Sequence, residues 1–254
     1  MKKIHELPER TEIPLLERNI NMSNSVARAA QGLTLVEKRI IAIGLAKTDS
    51  VPVKDLFLAS REGWKIRFSA AEYAKTFEVS HDAAYLQMKQ AGDYFLRRQV
   101  RQIVETPKGK IETISNWLSG TTYHHGEGWV EVRFSHEVAP YLLGLRKEFT
   151  SYKLKQASAL RSIYSWRLFE CLQSWKNEGR WSPTIEEFNH AMEVPESFKS
   201  NFGMMRRRVI DPALKELREK DNMLIDLELK KSGRKIIKLI FTFSRNSQVA
   251  MELE

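Results

Sequence analysis

The chain has 254 residues, with 41 Lys+Arg against 32 Asp+Glu, a net charge of +9 and a pI near 9.5. At about 150 residues per domain, that length allows one or two domains, and 42% hydrophobic with 10% aromatic residues argues against intrinsic disorder. The longest apolar run, Ile40 to Ala46, falls far short of the roughly 20 residues that span a bilayer, so no membrane partner is expected. The opening MKKIHELPER meets Glu6, Pro8 and Glu9 at once and offers no signal-peptide core. One cysteine, Cys171, excludes an internal disulfide framework and a Cys-rich zinc site. The expectation is a cytoplasmic basic protein with an anionic partner, of which nucleic acid is the commonest.

Residues 1–23 are polar and Pro-interrupted and read as an N-terminal arm. Thr34 with Glu37 three residues on forms a capping box for a helix over Leu35 to Lys47. Ser69-x-x-Glu72 starts a second, short helix, and a third follows over His81 to Arg98, with Ala84, Met88, Ala91 and Phe95 on one face. Next come a strand-like run, Val100 to Glu105, the turn Pro107 to Lys110, and Ile111 to Trp117. Gly120 to Gly126 reads as a loop, with the tip of the first wing hairpin as an alternative place for it, and Trp129 to Phe134 alternates as a half-buried strand. Residues 139–156 read as a linker. A helix is expected over about Leu160 to Lys176, with Cys171 as a buried, inert thiol on its apolar stripe. Thr184-x-x-Glu187 caps a short helix, a helical stretch covers about Ser197 to Lys220, and a hairpin joins Leu224–Leu229 to Ile236–Phe243 through a basic turn. Residues 247–254 form a C-terminal tail.

Two stretches of this series repeat each other. Residues 69–80, SAAEYAKTFEVS, align with residues 184–195, TIEEFNHAMEVP. Ser69 matches Thr184, Glu72 matches Glu187, Tyr73 matches Phe188, Phe77 matches Met192, and Glu78-Val79 matches Glu193-Val194. In each copy a helix, a turn, a second helix and a hairpin follow in the same order, which is the winged-helix plan. The fold class expected is therefore α+β and helix-rich, with two tandem winged-helix domains over residues 24–138 and 157–246.

The charge falls mainly on the second copy. Residues 198–245 hold 13 basic and 6 acidic residues, a net of +7 out of the chain's +9. At about 100° per residue, Phe202, Met205 and Val209 share the core side of the second helix, and Arg207 points away with Arg206 and Arg208 flanking. Arginine donates two bonds to guanine O6 and N7 or grips phosphate. Arg206, Arg207 and Arg208 are the candidate DNA contacts of this helix, with Lys199, Ser200 and Asn201 at its start and Lys230, Lys231, Arg234 and Lys235 on the wing. In the first copy the candidates are His81 and Lys89 on the equivalent helix and Lys108 and Lys110 in the hairpin turn. Pro212 interrupts the reading helix: either the helix kinks there, or Asp211 caps a new helix with Pro212 at its first position.

Tyr123-His124-His125 with Glu127 invites a metal or nicking reading. Adjacent residues of a strand point to opposite faces, so two adjacent histidines do not converge on one metal. There is no P-loop and no His-Glu-x-x-His. No catalytic residue, metal or cofactor is assigned.

The chain resembles the iteron-binding replication initiator (Rep) proteins of bacterial plasmids over about residues 24 to 244. The marks are Leu33 to Arg39, Pro140 to Leu145, Phe149 to Leu154, Tyr164 to Leu172, Arg206-Arg207-Arg208 and Lys231 to Arg234. The resemblance implies tandem winged helices related by a pseudo-twofold, and a monomer that binds directly repeated origin DNA with each domain in a major groove. It implies opening of a neighbouring AT-rich segment and recruitment of the host initiator, helicase and primase. It also implies a homodimer, built on the first domain, that binds an inverted-repeat operator in double-stranded DNA and represses its own gene. The base-reading role carries over to Arg206-Arg207-Arg208. The rival readings are a winged-helix repressor without a replication role, and a metal-dependent nicking initiator using Tyr123 or a neighbouring tyrosine.

Overall fold

The computed structural model describes residues 13–49, 51–52, 55, 58, 64–124, 126–143 and 148–245. His125, Gly144-Leu145, the first half of the expected arm and the expected tail lie outside the described residues. The chain divides into two compact units, Met1–Ala159 and Leu160–Glu254.

Unit 1 begins with β1 (Asn19–Ser23) and α1 (Asn24–Arg28), then α2 (Leu35–Lys47). β2 (Trp64–Ser69), α3 (Ala70–Phe77) and α4 (His81–Phe95) follow. The expected capping boxes start α2 and α3. Glu37 N–H donates to Thr34 Oγ1 at 3.3 Å and Thr34 N–H to Glu37 Oε2 at 2.7 Å. Ser69 and Glu72 exchange the same pair of bonds at 3.1 and 3.4 Å. Four strands come next: β3 (Gln99–Thr106), β4 (Gly109–Asn116), β5 (Leu118–His124) and β6 (Trp129–Phe134). The unit closes with α5 (Ala139–Leu142), β7 (Phe149–Lys153) and α6 (Leu154–Ser158).

The core of unit 1 lies between α2, α3, α4 and the sheet β2-β6-β5. Trp64 and Phe134 stack across β2 and β6 with ring centroids 4.2 Å apart. Helix α2 crosses this stack at Gly44, where a Cβ would stand 3.2 Å from Ile66 Cδ1 and 3.3 Å from the Phe134 ring. The expected buried face of α4, Ala84, Met88, Ala91 and Phe95, is buried.

Unit 2 contains α7 (Ile163–Gln173), β8 (Arg180–Trp181) and α8 (Ile185–Ala191). Then come α9 (Glu196–Lys199), α10 (Phe202–Met205), a π-turn over Arg206–Ile210, α11 (Asp211–Lys220), β9 (Met223–Ser232) and β10 (Lys235–Arg245). Thr184 and Glu187 close the third capping box, at 2.7 and 3.2 Å. Trp181 stacks on Phe241 at 5.4 Å and Phe188 on Phe241 at 6.0 Å, so β8, β10 and α8 share one aromatic core. Cys171 is buried, as expected from the apolar stripe of α7.

The two units repeat more than a sequence pattern. Their sheets run β2-β6-β5 and β8-β10-β9, which is the same order of first, last and middle strand. The aligned pair Glu78 and Glu193 both adopt the left-handed backbone, at φ 52° and 50°. Each ends the first helix of its pair and turns the chain into the second. A glutamate there is strained relative to glycine, and the same strain at both positions marks the same tight turn.

Three expectations change. First, the hairpin over 99–116 is not the wing of unit 1. It forms a separate two-stranded sheet, β3-β4, and the hairpin that joins β2 in the winged-helix order is β5–β6. Strand β4 is exposed along both faces and so has no core side to read in its pattern. Second, the expected loop from Gly120 is strand up to His124. Third, the arm and the linker meet. Asn19–Ser23 pairs antiparallel with Phe149–Lys153, burying Ile20 and Met22 from one strand and Thr150 and Tyr152 from the other. Glu17 adds ion pairs of 2.9 Å to Lys153 and to Lys155, and those two lysines, Lys155 first, hold its carboxyl below the usual range.

Candidate nucleic-acid interface

The helix of unit 2 expected to read DNA is assembled from pieces. Pro195 precedes the single turn α9, and Lys199 at its end pairs with Glu196 at 2.8 Å. Asn201 then caps α10, its Oδ1 accepting from the Met204 N–H at 3.1 Å. The caps leave Lys199, Ser200 and Asn201 exposed beside the helix start. Through the π-turn the chain buries Met205, Val209 and Ile210 and exposes Arg206, Arg207 and Arg208 together.

The π-turn also answers the question posed by Pro212. The helix does not restart with Asp211 as its cap. Asp211 N–H donates to the Arg206 carbonyl, and α11 continues with Pro212 in its first turn. A wide turn spares the proline ring the carbonyl it would strike in a regular helix. Arg206 Nε meets Asp211 Oδ1 at 3.2 Å across the turn. Among the described residues, Arg207 and Arg208 have no carboxylate partner, so their charges are available to an outside anion.

The wing is the hairpin β9–β10. Gly233 at φ 59° takes the first central position of its two-residue turn, the place a type II′ turn reserves for glycine. Lys230, Lys231, Arg234 and Lys235 are all exposed around it. The register adds a residue that sequence reasoning missed: Lys238 stands directly opposite Lys230. Like charges facing each other across strands repel, and an anion between them relieves that repulsion. The signal was in the register alone, because a bulge between Ile236 and Lys238 shifts the pairing by one.

The base of the wing is tied to the end of the reading helix. Arg245 Nη2 donates to both oxygens of Asp221, at 2.9 and 3.1 Å. Burial pushes the Asp221 carboxyl up to about 6, against the opposing pull of Arg245. An acid whose folded value lies above its unfolded one carries a penalty at neutral pH, and that penalty fades as protons bind. Unit 2 therefore gains a stability contribution as pH falls from 7 through 6 toward 4. Thermal denaturation at pH 7 and pH 4.5 should show this gain in the wild type and a smaller one in Asp221→Asn.

In unit 1 the candidates spread out. His81 opens α4 and Lys89 lies midway along it, both exposed, but the exposed face between and beyond them carries Leu86 and Tyr94. Lys108 and Lys110 stand on the β3–β4 hairpin, away from the wing by topology. At the β5–β6 wing, Arg67 of the neighbouring β2 lies over the Trp129 ring at 4.0 Å and His124 stacks on that ring at 5.1 Å. His124 Nδ1 accepts the Glu127 N–H at 3.0 Å, so this histidine shapes the hairpin turn. Desolvation and the neighbouring Tyr85 hydroxyl push the Tyr123 hydroxyl above the usual phenol range, which works against its use as a nucleophile. Among the described residues, no group of three or more His, Cys, Asp or Glu could hold a metal ion. No described helix is long and apolar enough to cross a membrane.

The fold and sheet order define two winged helices in tandem, each with a helix-turn-helix and a hairpin wing. Residues 19–173 match the family domain described as "Initiator Replication protein, WH1", and residues 184–243 match "Initiator Rep protein, WH2". The chain belongs to this family of replication initiators. It is 30% identical over 226 residues to an "Uncharacterized 27.6 kDa protein" of Escherichia coli, covering 87% of this chain and 93% of the relative. It is 25% identical over 200 residues to a "Replication initiation protein" of Escherichia coli, covering 77% of this chain and 61% of the relative. It shares its fold with the Pi initiator protein in a crystal structure with iteron DNA, at a TM-score of 0.71 and 19% identity over 91% of this chain and 98% of that one.

Proposed function

We propose that the chain is a plasmid replication initiator that binds directly repeated origin DNA sequence-specifically, as a monomer and without enzymatic chemistry of its own. It then promotes opening of an adjacent AT-rich segment and recruits the host initiator, helicase and primase, in the cytoplasm of a bacterium. The observation that carries this reading is the exposed Arg206-Arg207-Arg208 turn on the helix that a winged helix lays in the major groove, in the same unit as a wing lined with Lys230, Lys231, Arg234 and Lys235. Family membership supports it, as does the likeness to a protein solved on iteron DNA. In this reading unit 2 carries the principal DNA reading, and unit 1 carries dimerisation and further DNA contact.

A homodimer that represses the chain's own gene at an inverted repeat is the second half of the proposal. The outer edge of β4 supports it: this strand is exposed on both faces, with Ile111 and Ile114 in solvent, and an open strand edge pairs readily with another chain. The test is plasmid maintenance. DNA flanking the gene should sustain replication of a reporter plasmid only when the chain is supplied. Maintenance without the chain would favour a repressor with no replication role.

A further inference from the structure

In a regular helix the residues at i, i+4, i+7 and i+11 share one stripe. In the second reading helix that stripe is Arg206, Ile210, Ala213 and Leu217. The last three are buried. Arg206 instead has 51% of its side chain in solvent, and Met205, one residue earlier, is buried in its place. The apolar stripe thus slips by one residue between Met205 and Ile210. A π-turn produces such a slip, because its bonds close over five residues in place of four and take up one extra residue. The Asp211 N–H bond to the Arg206 carbonyl is one of these bonds, and the Arg206–Asp211 side-chain pair spans the same five residues.

The extra residue has a local cause. Pro212 has no N–H for the Arg208 carbonyl, its partner in a regular helix, and its ring would collide with that carbonyl. We propose that Pro212 is a positioning residue for DNA recognition: it makes the wide turn the favoured form, and the wide turn holds three consecutive arginines in solvent while Met205 anchors the segment in the core. The proposal rests on the reading of those arginines as the DNA surface. Without the proline, the N–H groups of residues 211 and 212 can return to the Arg207 and Arg208 carbonyls. The regular register then swings Arg206 into line with Ile210 and Ala213 and carries Met205 outward.

The test uses the full chain and a 20-bp duplex selected by the wild type from a random pool. Pro212→Ala should bind this duplex about tenfold more weakly, the equivalent of about 1.4 kcal/mol. Its folded circular-dichroism signal should hold, since alanine suits a helix better than proline and offsets the lost burial of Met205. Unchanged affinity overturns the proposal. So does loss of affinity together with loss of the folded signal, which would make the proline a support of the fold alone. Arg207→Ala, measured in parallel, separates the two levels. If it leaves binding to the selected duplex unchanged, the DNA reading itself fails. If it weakens binding while Pro212→Ala does not, the positioning role alone fails.

Discussion

Arg167→Met should destabilise the chain by about 3–5 kcal/mol, the usual result of breaking a buried ion pair from one side. Arg167 sits on α7, 1% exposed. Its Nη1 meets Glu170 at 2.9 Å, and its Nε and Nη2 both donate to the Ala191 carbonyl, at 3.2 and 2.9 Å. Ala191 is the last residue of α8, just before the turn through Glu193. One guanidinium thus joins the first helix of unit 2 to the end of α8, the first helix of its helix-turn-helix. Methionine fills similar space but strips Glu170 of its cation and the Ala191 carbonyl of both these donors. The double variant Arg167→Met/Glu170→Leu should recover much of the loss, because the remaining buried charge is gone. Urea denaturation of wild type, single and double variants checks both statements. A single variant within about 1 kcal/mol of wild type would show that the pair is not holding the turn.

Arg207→Ala should weaken binding to specific DNA by about 1–3 kcal/mol and relax sequence preference at the position it reads. Arg207 is the middle of the exposed triplet and has no described acidic partner to give up first, unlike Arg206 with Asp211. A wing lysine should behave differently. If Lys231 grips phosphate as proposed, Lys231→Ala should weaken selected and random duplexes alike and lower the salt slope by about one. Equal loss on both duplexes for Arg207→Ala would make it a phosphate contact too.

Much of this was legible in the sequence because it depends on neighbours along the chain. Three capping boxes, at Thr34, Ser69 and Thr184, need only a residue and its partner three places on. The repeat of Glu78-Val79 in Glu193-Val194 marked a shared turn, and both glutamates take the same unusual backbone. The missed features depend on distant or competing partners. Nothing near Asn19 announces Lys153 as its neighbour. The β3–β4 hairpin resembled a wing because it follows the reading helix, yet only strand pairing with β2 distinguishes a wing, and that pairing belongs to β6, which holds β5 on its other edge. The π-turn came from two local rules in conflict. Helical periodicity asks for Arg206 in the buried stripe, while Pro212 disfavours the regular turn that would put it there.

The central claim is that unit 2 reads a DNA sequence through its arginine turn and grips the backbone with its wing. It is tested most directly by the affinity of the full chain for a selected and a random duplex across a salt series. The selected duplex should bind at least about a thousandfold more tightly than the random one. Both affinities should fall steeply as salt rises, because each lysine or arginine on a phosphate releases a counterion. Equal affinity for the two duplexes, or binding indifferent to salt, would contradict the claim.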